Sequence, residues 1–141
     1  MNKFVYLHGF ASGPSSKKAS TFKNIFKEIG VTLITPDLEG GNFKNMTLSS
    51  QVKIIFDLLD QFQNKKVCLI GSSMGGYLAS LVAQRRLEVE ATYLMAPGFN
   101  FLDRWMRNLK LDCDNDTFWE SEIPIFHYRY DLTKYICTDI F

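Results

Sequence analysis

The chain has 141 residues, enough for one domain with a buried core and too few for two. Its hydrophobic content of 46%, charged content of 22% and net charge of +1 are ordinary for a globular protein, and they give no reason to expect binding to nucleic acid or to an anionic membrane. The three cysteines are scattered without CxxC spacing, which argues against a disulfide framework and against a zinc site. A single domain over residues 1–141 is therefore expected.

The N-terminal segments predict a strand followed by a helix. Residues 3–7 carry β-branched and aromatic side chains and predict the strand. This apolar run is too short for a signal peptide or a membrane span, so a soluble cytoplasmic protein is expected. Residues 8–14 form a loop rich in turn-forming residues. The helix after the loop begins at a cap, Ser15 or Ser16, and ends at Gly30.

The next segments repeat the alternation of strand and helix. Residues 31–35 predict a second strand. A helical stripe of apolar side chains over residues 48–62 predicts a second helix, with Thr47 as its cap and an end near Asn64. Regular alternation of this kind favours a parallel sheet with right-handed crossover connections.

A serine between two glycines follows the third predicted strand. Residues 67–70 are continuously apolar, as in a strand that is buried on both faces. The motif Gly-x-Ser-x-Gly comes next, over residues 71–75, and a helix that runs to about Arg86 follows it. This order of strand, sharp turn and helix is typical of the nucleophile elbow of α/β-hydrolases. Ser73 is in frame with the two glycines, whereas the competing hydroxyl of Ser72 is one residue out of frame.

The pattern changes after a fourth strand. Residues 91–96 predict this strand, buried on both faces, and Pro97 ends it. Residues 98–141 are interpreted as a lid-like segment and a tail, in which residues 123–128 are a short extended segment. The lid-like segment contains an aromatic-rich stripe at helical spacing, formed by Phe101, Leu102, Trp105, Met106 and Leu109.

Two motifs together resemble a known family. They lie in Tyr6-Leu7-His8-Gly9-Phe10-Ala11-Ser12, with the run Ser15-Ser16-Lys17-Lys18-Ala19 after it, and in Gly71-Ser72-Ser73-Met74-Gly75-Gly76-Tyr77. These segments resemble the small bacterial esterases of the YqiA type, a subgroup of the α/β-hydrolase superfamily. A weaker match extends to residues 126–128. The resemblance implies a three-layer α/β fold with a parallel sheet, in which the strands lie in the order second, first, third, fourth.

The resemblance also implies roles for individual residues. Ser73 would be the nucleophile, and the backbone amides of Phe10 and Met74 would form the oxyanion hole. His8 would orient the loop after the first strand and would not act as a base. The substrate would be a small-molecule ester or thioester, and the chemistry needs no cofactor.

The base and its carboxylate partner are the point of departure from the family. Family members carry Asp and then His beyond the serine, after two further strands, whereas this sequence stops at Phe141. The resemblance therefore implies a fold truncated before its last two strands. His127 is the alternative base, because it follows the serine and the acidic stretch 112–116 lies between them. Its neighbours match the lid region of the family, so we interpret it as a lid residue.

Two functions remain open at this stage. One is a serine esterase that is impaired by the missing Asp and His, and the other is a non-catalytic remnant or binding module. A dinucleotide-binding module is a distant third, because no glycine run spells GxGxxG. The outer edge of the fourth strand would present unpaired backbone groups, so self-association is expected unless residues from Asn100 onward cover that edge.

Overall fold

The computed structural model describes residues 2–63 and 65–100, and strands and helices alternate along them. The elements are, in chain order, strand β1 (Lys3–Leu7), helix α1 (Lys17–Glu28), strand β2 (Leu33–Ile34), a short 3-10 turn (Phe43–Asn45), helix α2 (Leu48–Asp60), strand β3 (Val67–Ser72), helix α3 (Met74–Ala83) and strand β4 (Val89–Met95).

Four strands form one parallel sheet in the order β2-β1-β3-β4, which confirms the predicted order. The register places Leu7, the last residue of β1, beside Gly71 of β3. Because parallel strands end at the same edge of a sheet, the loop after β1 and the turn after β3 are neighbours there.

Helices cover both faces of the sheet, as the predicted three-layer architecture requires. On one face, α1 packs against a small cluster that contains Tyr6 and Ile70. On the other face, α2 and α3 pack against a larger core. Its most deeply buried side chains are Val5, Leu7, Leu38, Ile55, Leu59, Val67, Leu69, Leu78, Ala79 and Val82. These apolar side chains are the main source of the stability of the fold.

The helices begin where the sequence predicts. The Ser16 hydroxyl accepts a hydrogen bond from the amide of Ala19 at 3.3 Å, and Thr47 forms a reciprocal capping box with Ser50 at the start of α2. Gly30 follows α1 with φ +73°, the left-handed conformation that a glycine adopts without steric cost. The helices of the described part of the chain are too short or too polar to cross a bilayer.

Several element ends differ from the prediction. Strand β2 has only two residues, where five were predicted over residues 31–35. Helix α2 ends at Asp60, before the predicted end near Asn64, and α3 ends at Ala83, before Arg86. After α2 the apolar pattern continues into a turn in which Phe62 is still buried, so the pattern does not mark where helical hydrogen bonding stops.

Strand β4 corrects the prediction that residues 91–96 are buried on both faces. Residues 90–93 are exposed, and 58% of the Tyr93 surface is accessible. Within the described residues β4 pairs only with β3, so it is an edge strand there. The stripe after Asn100 and residues 123–128 lie outside the described residues.

Candidate active site

Ser73 lies at the turn between β3 and α3, as predicted. Its backbone has φ 54° and ψ −117°, a strained conformation for a residue with a side chain. Its carbonyl oxygen accepts hydrogen bonds from the amides of Gly76 and Tyr77, at 3.0 and 3.2 Å, and so starts α3. The side chain is exposed, and its hydroxyl forms no hydrogen bond with the rest of the described chain. An accessible hydroxyl on a strained turn between a strand and a helix is the arrangement that the Gly-x-Ser-x-Gly motif predicts.

The two motif glycines leave no room for a side chain. A Cβ on Gly75 would lie 2.5 Å from the carbonyl carbon of Leu7 and 2.7 Å from the oxygen of His8. A Cβ on Gly71 would lie 2.6 Å from the Cα of Gly76. All three distances are far below van der Waals contact, so the close approach of α3 to the strands explains the Gly-x-Ser-x-Gly pattern.

The end of β4 and the loop after it also hold the turn in place. The amide of Ser73 donates to the oxygen of Met95 at 3.0 Å, and the amide of Gly98 donates to the oxygen of Ser73 at 2.9 Å. A Cβ on Gly76 would lie 3.0 Å from the Cβ of Pro97. The sequence indicates only that a strand ends at Pro97. Nothing local in it signals that the next residue, Gly98, donates a backbone hydrogen bond to Ser73.

Of the two residues predicted to form the oxyanion hole, Met74 directly follows Ser73 in the chain, and Phe10 follows a glycine that lies near Ser73. Met74 is the first residue of α3, and its amide has no acceptor among the described residues, as is usual in the first turn of a helix. Gly9, which precedes Phe10, lies against the turn, because a Cβ there would be 3.6 Å from the Cβ of Ser73. The Phe10 ring packs on Phe43, with centroids 5.2 Å apart. Convergence of the Phe10 and Met74 amides stays a prediction.

Both ring nitrogens of His8 are already engaged. Its Nε2 accepts a hydrogen bond from the amide of Leu38 at 3.0 Å, and its Nδ1 lies 2.9 Å from the oxygen of Gly9. Because an amide can only donate, Nε2 carries no proton, and the proton on Nδ1 points to the Gly9 carbonyl. The ring is 2% exposed. His8 therefore joins the loops after β1 and β2, and its hydrogen bonding fits a positioning role better than that of a base.

The hydroxyl of Ser72, unlike that of Ser73, is buried and has a hydrogen-bond partner among the described residues. Ser72 is 5% exposed, and its oxygen accepts a hydrogen bond from the Lys18 Nζ at 2.9 Å. It also forms a hydrogen bond with the Tyr6 hydroxyl. Burial raises the pKa of Tyr6, and the bond to Ser72 partly offsets that rise. The sequence does not indicate this cluster, because the helical spacing of α1 predicts that Lys18 faces solvent.

The remaining candidates lie outside the described residues. These are His127, the alternative base, and the acidic stretch 112–116. Within residues 2–63 and 65–100, no three His, Cys, Asp or Glu side chains lie together as a metal site would require.

The chain matches the model of a protein family over most of its length. The model of a family described as "Uncharacterised protein family (UPF0227)" matches residues 3–139. A protein of Mycoplasma pneumoniae, "Putative esterase/lipase 2", is 34% identical over 106 residues, which cover 68% of this chain and 38% of that protein. A protein of the same name from Mycoplasma genitalium is 33% identical over 103 residues, with the same coverage of both chains.

Matches to solved structures with a similar fold cover about half of each of those chains. Est1E from Butyrivibrio proteoclasticus, solved with ferulic acid bound, has a TM-score of 0.72 and 22% identity, and the match covers 82% of this chain and 52% of that one. A "Putative hydrolase" from Agrobacterium vitis has a TM-score of 0.71 and 25% identity, with coverages of 86% and 51%. This chain thus spans about half the length of the structures it matches and 38% of the mycoplasma protein. It has the α/β-hydrolase fold and belongs to the UPF0227 family, the YqiA-like family that its motifs predicted.

Proposed function

We propose that the protein is a serine hydrolase of carboxylic esters or thioesters that reacts through an acyl intermediate on Ser73. The observation that carries this proposal is the strained backbone of Ser73, with its exposed hydroxyl at the start of α3. The mycoplasma relatives named as esterase/lipase and the α/β-hydrolase neighbours support a hydrolase in a more general way.

The geometry supports a defined sequence of steps. The Ser73 oxygen attacks the ester carbonyl while a base takes its proton, and the resulting oxyanion accepts hydrogen bonds from the Met74 and Phe10 amides. The positive end of the α3 dipole favours the same negative charge. Loss of one such donor typically costs on the order of 10²–10³ in rate. The base then gives the proton to the departing alcohol or thiol as its bond to the acyl carbon breaks. In a second step water attacks the acyl group while the base takes its proton, and the acid leaves as that proton returns to the Ser73 oxygen.

The rate of this reaction depends on which residue accepts the proton of Ser73. The sequence has two histidines, and the hydrogen bonds of His8 already occupy both of its ring nitrogens. That leaves His127, with the acidic stretch 112–116 as a source of a carboxylate partner. The neighbours of His127 resemble a lid region, so we do not expect it to pair with Ser73, and a serine without a paired base is a weak nucleophile at neutral pH. We therefore expect low turnover, on the order of 10⁴-fold below that of a complete triad.

The test combines turnover with covalent labelling. Hydrolysis of p-nitrophenyl butyrate is measured for the wild type, Ser73→Ala and His127→Ala, with Ser20→Ala as a control for the loss of an exposed hydroxyl elsewhere. The proposal predicts slow hydrolysis that disappears in Ser73→Ala and persists in the control. Fragment mass spectra of the protein trapped with a fluorophosphonate should place the adduct on Ser73 and not on Ser72.

The outcomes separate the two functions. Hydrolysis equal in the wild type and Ser73→Ala, with no adduct on Ser73, would overturn the esterase and favour the binding module. Robust turnover that is lost in both Ser73→Ala and His127→Ala would identify His127 as the base, and the low rate expected above would then be wrong.

A further inference from the structure

The cluster of Lys18, Ser72 and Tyr6 lies next to the proposed nucleophile. Ser72 is 5% exposed, and its hydroxyl oxygen accepts a hydrogen bond from the Lys18 Nζ at 2.9 Å. Tyr6, which is 1% exposed, interacts with the same serine. The cluster joins three elements, namely β1, the end of β3 and the first turn of α1. The bond to the buried Ser72 holds the ammonium group of an exposed lysine near the strand end that is followed by Ser73.

The charge of Lys18 has no acidic partner in the described part of the chain. The ion pairs found there involve Lys53 and Arg86. An ammonium group has three N–H donors, and the bond to Ser72 uses one of them. Two donors and a full positive charge thus remain for a ligand, in an environment where an oxygen anion is the natural partner.

Lys18 is also within reach of a substrate on Ser73. Ser72 and Ser73 are consecutive, with Cα atoms about 3.8 Å apart, so the Lys18 Nζ lies within roughly 12 Å of the Ser73 hydroxyl. Half-esters of short dicarboxylic acids, such as glutarate, have lengths in this range. One end of such an acyl group can react at Ser73 while its carboxylate contacts Lys18.

We infer that Lys18 is a specificity-determining residue that selects esters whose acyl part carries a carboxylate. This inference rests on the proposed function, in that it assigns a substrate class to the same site. Lys17 provides a matched control, because it is the preceding lysine in the same turn of α1, is exposed, and its side chain forms no hydrogen bond or ion pair within the described chain.

The first experiment compares two 4-nitrophenyl esters of equal acyl length, the anionic hemiglutarate and the neutral valerate. The measured quantity is the ratio of their kcat/KM values. Lys18→Gln should lower this ratio by roughly fivefold to tenfold, the effect of a charge-assisted hydrogen bond at a partly exposed site. Lys18→Arg should retain most of it, Lys17→Gln should leave it unchanged, and added salt should lower it in the wild type. An unchanged ratio in Lys18→Gln overturns the inference.

The second experiment does not depend on turnover. Glutaramate and valeramide, which carry the same acyl groups as unreactive amides, are titrated into the ¹⁵N-labelled protein, and the amide signals of Ser72 and Met74 are followed. Glutaramate should shift these signals in the wild type and Lys17→Gln but not in Lys18→Gln. If it shifts them equally in Lys18→Gln, or in none of the proteins, the inference is wrong. If the shifts depend on Lys18 but no turnover depends on Ser73, the carboxylate site stands and the esterase proposal fails.

Discussion

Substitution of Gly75 by alanine tests the close packing on which the Ser73 turn depends. The added methyl group would lie 2.5 Å from the carbonyl carbon of Leu7 and 2.7 Å from the oxygen of His8, and closer still to the oxygen of Leu7. Since real Cβ atoms essentially never come within 3.0 Å, α3 must move away from β1 by half an ångström or more. The opposing atoms are backbone of a buried strand and its end, which cannot turn aside as a flexible side chain would.

The expected loss of stability is large for the addition of one methyl group. Overpacking in a core costs about 1–3 kcal/mol and occasionally more. Alanine recovers up to about 1 kcal/mol through its higher helix propensity. The net loss should be about 2 kcal/mol, which lowers the melting temperature by about 6–8 °C for a domain of this size.

The assay is thermal unfolding followed by circular dichroism, with Gly13→Ala as the control. A Cβ on Gly13 would meet nothing within 4 Å, and the residue has no positive φ. This variant should melt within about 2 °C of the wild type or slightly above it, since the alanine mainly restricts the unfolded chain. If Gly75→Ala melts together with Gly13→Ala, α3 does not approach β1 as described, and the steric explanation of the motif is wrong.

Three further predictions address other contacts. His8→Ala should lose about 2 kcal/mol in urea unfolding, because it leaves the Leu38 amide without its acceptor; a variant as stable as the wild type would contradict that hydrogen bond. Arg86 lowers the pKa of Glu88 chiefly through a side-chain hydrogen bond, so the stability that Glu88 contributes is present above its ordinary pKa of 4.5 and lost as the pH falls through the lowered value. The difference in unfolding free energy between the wild type and Arg86→Gln should therefore be largest above pH 4.5 and should shrink at lower pH. A difference that does not change with pH would refute the contribution of the Arg86–Glu88 bond. Finally, we propose that the outer edge of β4 pairs with that of a second chain. Light scattering should then give a mass that rises with concentration and falls in Thr92→Pro, which removes an edge donor, whereas a monodisperse wild-type monomer would show that the edge is covered.

The parts of the fold that local chemistry determines could be predicted from the sequence. Ser16 and Thr47 are caps because their hydroxyls reach amides three residues away, a relation that depends only on the neighbouring residues. The Ser73 turn was predictable for a similar reason, because glycines at fixed offsets signal that a strand and a helix pass close together. The strand order followed from family resemblance, since alternation of elements predicts a parallel sheet without fixing which strands are neighbours.

Features that depend on distant partners could not be predicted. The exposure of Tyr93 depends on what lies beside an edge strand, whereas its apolar neighbours in sequence suggested burial. The bond from Lys18 to Ser72 joins residues 54 positions apart, and the bond from Gly98 to Ser73 crosses from one strand end to another. Single-sequence patterns report the periodicity of one element, so contacts between elements become visible only once the sheet is assembled.

The geometry of the turn and the capacity for catalysis are separable in this protein. The strained backbone of Ser73 is held by the amides of Gly76, Tyr77 and Gly98 and by tight glycine packing against β1, and none of these contacts involves a base. The turn is therefore a consequence of how β3 and α3 pack, and it would persist in a chain that had lost its triad. What separates an esterase from a binding module is a proton acceptor for Ser73, and with both nitrogens of His8 engaged, the decisive variant is His127→Ala. Turnover that needs Ser73 but not His127 would mean that the oxyanion amides and the helix dipole alone drive a slow reaction.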